Sequence, residues 1–283
     1  MMASEHHDVR RVCRLLEVSS AGFYAWRDRP PSLRAVRHAW LTDLISEIHT
    51  DSRQTYGSPR VHAELTIGRG ITVGRHTIAA LMRQAGLRGL PAAKRLRRMA
   101  NVATATDLVD RHFEREGPNE LWVTDITEHP TREGKLYCAV VLDVFSRRVV
   151  GWSIDSSQTS TLVTSALGMA IQNREPPAGT IVHSDHGGQF NSWAFTRRVQ
   201  DSGLLPSMGS VGDCFDNAVI ESFWARMQVE LLNRQRWRTR IELANAMFEY
   251  LEIFHNRQRR HTAIGMRTPI EYERLQLEQQ PVA

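Results

Sequence analysis

The chain has 283 residues, with 36 Lys+Arg against 31 Asp+Glu, a formal net charge of +5 and a pI near 9.5. That length and a 41% hydrophobic fraction suit one large domain with one or two small ones, and exclude a disordered or fibrous chain. No run approaches the ~18 apolar residues of a membrane span, and MMASEHHDVRR lacks a signal core, so a cytoplasmic protein is expected.

Charge is unevenly placed. Residues 1–118 carry 19 Lys+Arg against 12 Asp+Glu, a net of +7, while 119–283 carry 17 against 19, a net of −2. A basic arm on a nearly neutral body suits a polyanionic partner. All basic residues but Lys94 and Lys135 are arginine, whose planar fork binds phosphate and guanine bidentately; a GC-rich coding bias would give the same composition. Cys13, Cys138 and Cys214 lie far apart with no Cys-x-x-Cys pair, against both a disulfide framework and a thiolate zinc site.

Pattern divides the chain into an N-terminal helical segment (1–36), a helix-turn-helix-like unit (37–90), a basic linker (91–118), an α/β core (119–275) and a tail (276–283). In the first segment a short apolar-periodic helix ends near Leu16, and an aromatic helical turn closes at Pro30-Pro31. Leu41, Leu44, Ile45 and Ile48 have helical spacing. Ser58-Pro59 supplies an N-cap and a first-turn proline for a helix through Leu65. After the Gly68–Gly70 turn, a helix from about Val73 puts Ile78, Leu81, Met82 and Ala85 on one face and stops at Gly86. Two short helices about a glycine turn are what a helix-turn-helix requires, and the second would offer Arg75, His76 and Arg83 to DNA. An ordinary helical bundle with solvated arginines has the same pattern. The linker adds Lys94, Arg95, Arg97 and Arg98 as candidate DNA contacts.

From Leu121 the period changes. LWVTDITEH, KLYCAVVLDV and RRVVGWSI read as three strands, the last two joined by the turn at Phe145-Ser146-Arg147. Helix 159–173, strand TIVHSD, helix 192–201 and strand LLPSMG follow, and Asp216-Asn217 opens a helix to about Leu232. Thr239–Glu242 and Thr268–Glu271 are capping boxes for two more helices. Three strands in hairpin succession, then alternating helix and strand, make an α/β layer with a mixed sheet.

Asp125 stands inside the first strand, where WVTDIT is otherwise apolar or β-branched, and Asp185 ends the fourth. In a mixed sheet these strands can be parallel neighbours, which brings the two carboxylates together. Glu221 sits in the first turns of the Asp216 helix, with 35 residues between it and Asp185. Converging carboxylates repel unless a cation is present, and hard oxygen donors without Cys or His clusters favour Mg²⁺ or Mn²⁺. Two such ions ~4 Å apart stabilise the attacking and leaving oxygens of an in-line phosphoryl displacement. Gly187-Gly188 then leaves room for a phosphodiester backbone beside Asp185.

Each of these residues also has a plainer reading: Asp125 bonded to a loop amide, Asp185 as an Asx-turn, Glu221 as a solvated helix residue. Asp143 is a rival ligand that reads better as a turn-former, and Asp213 and Asp216 as loop and N-cap groups. His183 and His186 bracket Asp185 and are expected to line the groove and donate to phosphate or the carboxylates. With no cysteine and no histidine at helical spacing nearby, they do not read as a zinc site.

Taken together, WVTDIT, VLDVFSRRVVGW, HSDHGGQF and DNAVIESFWARMQVE closely resemble the signatures of the insertion-sequence-three family of bacterial transposases, within the DDE transposases and retroviral-type integrases. TYGSPRVHAEL and VGRHTIAALMRQAGLRG resemble the helix-turn-helix segment that precedes the core in the same proteins. The resemblance covers roughly residues 10–275 and includes the family's 35-residue spacing. It implies an α/β fold with a ribonuclease H-like integrase core, a mixed five-stranded sheet flanked by helices, behind a small all-α helix-turn-helix region. It implies that Asp125, Asp185 and Glu221 form the catalytic, metal-binding triad, with two Mg²⁺ (or Mn²⁺) ions. One site would then serve two steps: water cuts a strand at the element's end, and the freed 3′-hydroxyl attacks a second phosphodiester without a covalent enzyme intermediate.

The implied partners are double-stranded DNA (element ends and target), further copies of the chain on that DNA, and an upstream-frame protein or frameshift fusion. The implied location is the bacterial cytoplasm, at the nucleoid. The chain departs from the family at Gln228, where a basic residue often stands two helical turns after the glutamate; Gln228 and His186 remain candidate DNA contacts. A stand-alone metal-dependent nuclease of the same fold and a decayed, non-cutting DNA binder are the competing readings. Arg234, Arg236, Arg238, Arg257, Arg259 and Arg260 favour long DNA over a short hybrid, and the intact triad disfavours a remnant.

Overall fold

Five helices come first in the computed structural model, which describes residues 8–91, 115–208 and 218–279. They are α1 (Val9–Leu15), α2 (Ser20–Arg27), α3 (Leu33–Asp51), α4 (Ser58–Ala63) and α5 (Arg75–Gln84). Leu41, Ile45 and Ile48 of α3 meet Val61 and Leu65 and the Ile78, Leu81 and Met82 stripe of α5, the pairing expected from spacing. The expected Ser58 cap is corrected: Gly57 is the N-cap and Ser58 already lies in the helix. The helix expected to reach Leu65 turns instead into a π-helical stretch, Glu64–Gly68. A Cβ on Gly68 would meet the Glu64 carboxylate and stand 2.6 Å from Arg260 Nη2, so a larger residue there would push these two side-chain ends aside.

The strands β1 (Leu121–Thr131), β2 (Gly134–Asp143) and β3 (Val149–Asp155) form the expected antiparallel succession. Two parallel strands, β4 (Ile181–Ser184) and β5 (Leu205–Met208), complete a mixed five-stranded sheet in the order β3-β2-β1-β4-β5. Between them run α6 (Ser160–Arg174) and α7 (Trp193–Asp201), and after them α8 (Ala218–Glu230), α9 (Arg240–Phe248) and α10 (Pro269–Gln279). A ten-residue π-helical stretch, Glu249–Gln258, continues α9. Of the two expected capping boxes, the one at α10 forms in full and the one at α9 only in half. At α10, Thr268 Oγ1 accepts from Glu271 N at 3.2 Å and Glu271 Oε2 accepts from Thr268 N at 3.0 Å. At α9, Thr239 Oγ1 accepts from Glu242 N, but Glu242 reaches past Thr239 to the amide of Arg238.

Period-two alternation decides which side chain faces which layer. Trp122, Ala139 and Val141 face α6 and α7, where Leu162, Val163, Phe195 and Val199 cover them. Leu121, Val123, Val140 and Leu142 face the other way, toward α8 and α9. Gly151 lets α6 lie directly on β3, since a Cβ there would stand 2.6 Å from Ala170 N. The helical N-terminal unit shares the apolar cluster of the α8 side. Polar bonds pin it there: the Tyr56 hydroxyl donates to Gln258 O at 2.9 Å and accepts from Arg260 N at 2.8 Å. No helix among the described residues is long and apolar enough to cross a membrane.

Candidate active site

Asp125 follows Leu121 and Val123 in the alternation of β1, so its side chain emerges on the α8 side of the sheet. There Trp224 Nε1 donates to its Oδ2 at 3.0 Å, and the amide of Ile126 donates to Oδ1 at 2.7 Å. β1 and β4 pair in parallel with Trp122 opposite Val182 and Val123 opposite His183. Carried two residues on, that register sets Asp125 level with Asp185. Glu221 lies in the first turn of α8, one turn before Trp224. Asp185 and Glu221 are exposed and Asp125 is half-buried.

Burial, more than anything else, pushes the Asp125 carboxyl up to about 6. The negative charges of Asp185 and then Glu221 add to that rise, while the bonds from Ile126 and Trp224 oppose it. Three carboxylates therefore share one electrostatic neighbourhood, and Asp125 is the most buried of them. All their donors are oxygens, which suits Mg²⁺ or Mn²⁺. They are not drawn tight: among the described residues no three His, Cys, Asp or Glu side chains stand close enough to hold an ion together. Asp185 is turned aside, its Oδ1 accepting from Gly187 N at 3.0 Å in the Asx-turn that the sequence also allowed. A Cβ on Gly187 would press within 2.9 Å of that same oxygen, whereas nothing stands near Gly188, so the space beside Asp185 is open.

Comparison with known proteins now bears on this geometry. Residues 37–95 match the model of an HTH-like domain, and residues 115–214 and 202–269 match models described as integrase core domain. An insertion element IS600 uncharacterized 31 kDa protein of Shigella sonnei is 36% identical over 268 residues, 92% of this chain and 97% of the relative. The transposase InsF for insertion sequence IS3A of Escherichia coli is 35% identical over 274 residues, 94% and 93% of the two chains. The chain belongs to the insertion-sequence-three family of transposases. As such it is a DDE polynucleotidyl transferase with a ribonuclease H-like core. A structure of the HTLV-2 integrase catalytic core domain in complex with magnesium aligns with 56% of this chain and 98% of its own, at 23% identity and a TM-score of 0.40.

Other residues singled out in the transposase sequence fall in different places. Arg75, His76 and Arg83 are exposed on α5, opposite its buried Ile78, Leu81 and Met82. Lys94, Arg95, Arg97 and Arg98 lie outside the described residues, as do Cys214, Asp213 and Asp216. Gln228 is partly exposed, two turns after Glu221, and His186 is exposed beside Asp185. His183 does not line the groove: it is 1% exposed, and its Nδ1 bonds Ser207 Oγ at 3.0 Å on the adjacent β5. Asp143 is the turn-former expected, accepting from Ser146 N and Oγ and from Asn119 N.

Two of the C-terminal arginines read as DNA contacts are corrected. Arg259 and Arg260 are 4% and 2% exposed and are spent on internal carboxylates. Arg259 Nε and Nη2 bond Glu230 at 2.7 and 2.9 Å, and Arg260 pairs with Glu64 and Glu271. Sequence reasoning also missed Trp224, the donor to Asp125, although its i+3 spacing from Glu221 places it on that face.

Proposed function

We propose that this transposase cuts DNA strands at the ends of its element and joins them to target DNA, with Asp125, Asp185 and Glu221 as the reacting site. The observation that carries the reading is the register of β1 and β4, which levels Asp125 with Asp185 on the side where α8 presents Glu221. These three side chains would hold two Mg²⁺ or Mn²⁺ ions, which when bound stabilise the attacking and leaving oxygens of phosphoryl transfer. Asp125 is the fixed member, held by Ile126 and Trp224. Asp185 and Glu221 are exposed and free to turn toward it. In the cut, water supplies the oxygen that bonds to phosphorus while the P–O3′ bond breaks, leaving a 3′-hydroxyl. In the join, that 3′-oxygen bonds to a target phosphorus and displaces a second 3′-oxygen, which leaves with the proton. Neither step needs a protein nucleophile. Gly188 beside Asp185 lets the sugar–phosphate backbone approach.

The exposed Arg75, His76 and Arg83 of α5 would meet DNA, with Lys94, Arg95, Arg97 and Arg98 tracking the backbone and His186 and Gln228 touching it near the cut. The divisions follow: helical arm 1–36, DNA-binding unit 37–90, basic linker 91–118, catalytic core 119–275 and tail 276–283. Two ends must be processed together, so the working form is an assembly of copies on DNA, with an upstream-frame partner or fusion adding specificity, at the nucleoid of the bacterial cytoplasm. Incubation with labelled element-end DNA and Mg²⁺ tests this. Strand-transfer products are expected; cleavage alone supports a nuclease, and retention without cutting a decayed binder.

A further inference from the structure

The flank of α8 turned away from Asp125 forms one wall of a second cleft, of about 370 Å³. Ser222 and Arg226 line it from α8, Arg60 from α4, Arg147 from the β2–β3 turn, and Arg259 and His261 from the segment after the long π-helical stretch. Four guanidiniums thus share one small space, and Glu230 serves two of them, Arg259 and Arg60. It takes the fork of Arg259 and stands 3.6 Å from Arg60 Nη1.

Arg147 and Arg226 have no carboxylate at ion-pair distance among the described residues. The nearby Asp143 is already engaged by the amides of Ser146 and Asn119. Arg147 Nε is buried without a hydrogen-bond partner. A buried donor left unpaired costs about 1–3 kcal/mol, more when charged, so an acceptor that reached Arg147 Nε would recover that cost.

The surroundings carry the same imbalance. Burial, and then the charges of Arg259 and Arg226, push Arg60 down to about 10 against the pull of Glu230. Burial and Arg259 lower the pKa of both His255 and His261, so the two rings add no positive charge to the cleft and, being histidines, no negative one. The remaining wall is apolar, with Leu142, Val219 and Phe223, a surface that a deoxyribose can lie against.

We propose that this cleft is a DNA phosphate site separate from the carboxylate site, in which Arg147 and Arg226 grip one backbone phosphate with Arg60 beside them. Its walls join the two DNA-handling units: Arg60 lies on the helix preceding α5, and Arg226 on the helix that carries Glu221. One phosphate held between them fixes the helical unit's DNA against the core. The inference rests on the transposase reading, but its test separates the two.

The full-length chain carrying Asp125→Asn, so that nothing is cut, is titrated with labelled duplexes of unrelated sequence over a range of salt. Because the phosphate needs both guanidiniums to be held, Arg226→Gln and Arg147→Gln should each release it and flatten the slope of log affinity against log salt by about 0.9, and the double variant should flatten it no further. At about 0.1 M salt that is roughly eightfold in affinity for every duplex, the 0.9 power of a tenfold dilution from 1 M. Arg→Lys at either position should recover most of it. Arg226 is partly exposed, so Arg226→Gln decides the matter if Arg147→Gln melts early. An unchanged slope in a folded Arg226→Gln overturns the site while leaving the transposase reading intact. So does inorganic phosphate raising the melting temperature of the parent but not of Arg226→Gln, with DNA affinity unaltered; that outcome assigns the cleft to a small free anion. A parent chain that binds no duplex at all sinks both readings.

Discussion

Helix α8 separates two charged regions of opposite sign. Toward β1 it presents Glu221 to Asp125 and Asp185, three carboxylates to which no arginine is bonded among the described residues. On the other side, Glu230 at its last turn is 2% exposed, yet it accepts from Tyr250 at 2.9 Å and from both arms of Arg259. Both regions carry a carboxylate out of bulk water, with opposite results. Arg259 and Arg60 outweigh burial and hold the Glu230 carboxyl below its ordinary value; among the described residues no cation does this for Asp125, which is raised to about 6. Glu230 is compensated by its own chain, and Asp125 is the carboxylate that the proposed cation would compensate.

The same small change on the two sides should therefore do opposite things. Asp125→Asn is expected to abolish cutting and joining, at least three powers of ten or ~4 kcal/mol of transition-state stabilisation. Its effect on folding should be small. The amide relieves a buried charge but turns an NH₂ toward one of the two N–H donors, and these terms offset to within about 1–2 kcal/mol. Glu230→Gln should leave Arg259 without its counter-charge in the interior and cost roughly 3–5 kcal/mol of stability. Urea unfolding and a strand-cutting assay on both variants measure the contrast. A stable Glu230→Gln chain, or a cutting Asp125→Asn chain, would collapse it.

How far this is visible in the sequence depends on the range of the interaction. Asp125 is legible because a carboxylate among β-branched residues is costly, and period-two alternation fixes its side of the sheet. The helix pattern puts Glu221 in the first turn of α8, but its 35-residue spacing from Asp185 points to a shared site only through the family resemblance. The Asx-turn at Asp185 is one of two readings, since the strand end permits either. His183 is misread because a strand position faces whatever its neighbour offers, and β5 offers Ser207. Arg259 and Arg260 are misread for a related reason. Their partners Glu230 and Glu64 are 29 and 196 positions away, so composition cannot show that these arginines are already neutralised.

Acid should attack the basic side. The ring nitrogen Nε2 of His255 must carry a proton to donate to Arg147 O at 2.8 Å, and burial and Arg259 hold the second proton off, lowering its pKa to about 4. Because the folded value lies below the unfolded ~6.5, the unfolded chain binds the extra proton between them. The contribution of His255 to stability is complete above about 6.5 and is lost as pH falls through 4. Between pH 7 and 5 this one residue should cost about 2 kcal/mol. His255→Gln keeps a donor for Arg147 and should flatten that part of the curve, read as the difference from the parent in urea unfolding at the two pH values. Parallel curves for parent and variant would place the acid sensitivity elsewhere.

The smallest effect tests whether charge on the two flanks of α8 is interchangeable. Gln228→Lys puts an ammonium seven residues after Glu221, on the acidic flank. If DNA passes there, it should steepen the salt slope by about 0.9 and tighten binding roughly eightfold at ~0.1 M salt, about 1.2 kcal/mol. Combined with Arg226→Gln it restores the total charge of the helix while moving it from one flank to the other. If each flank holds its own phosphate, the double variant recovers the parent's slope, because the phosphate released at Arg226 is replaced by one held at position 228. If only the acidic flank meets DNA, the double variant instead keeps the full steepening of Gln228→Lys alone, because Arg226 held no phosphate to release.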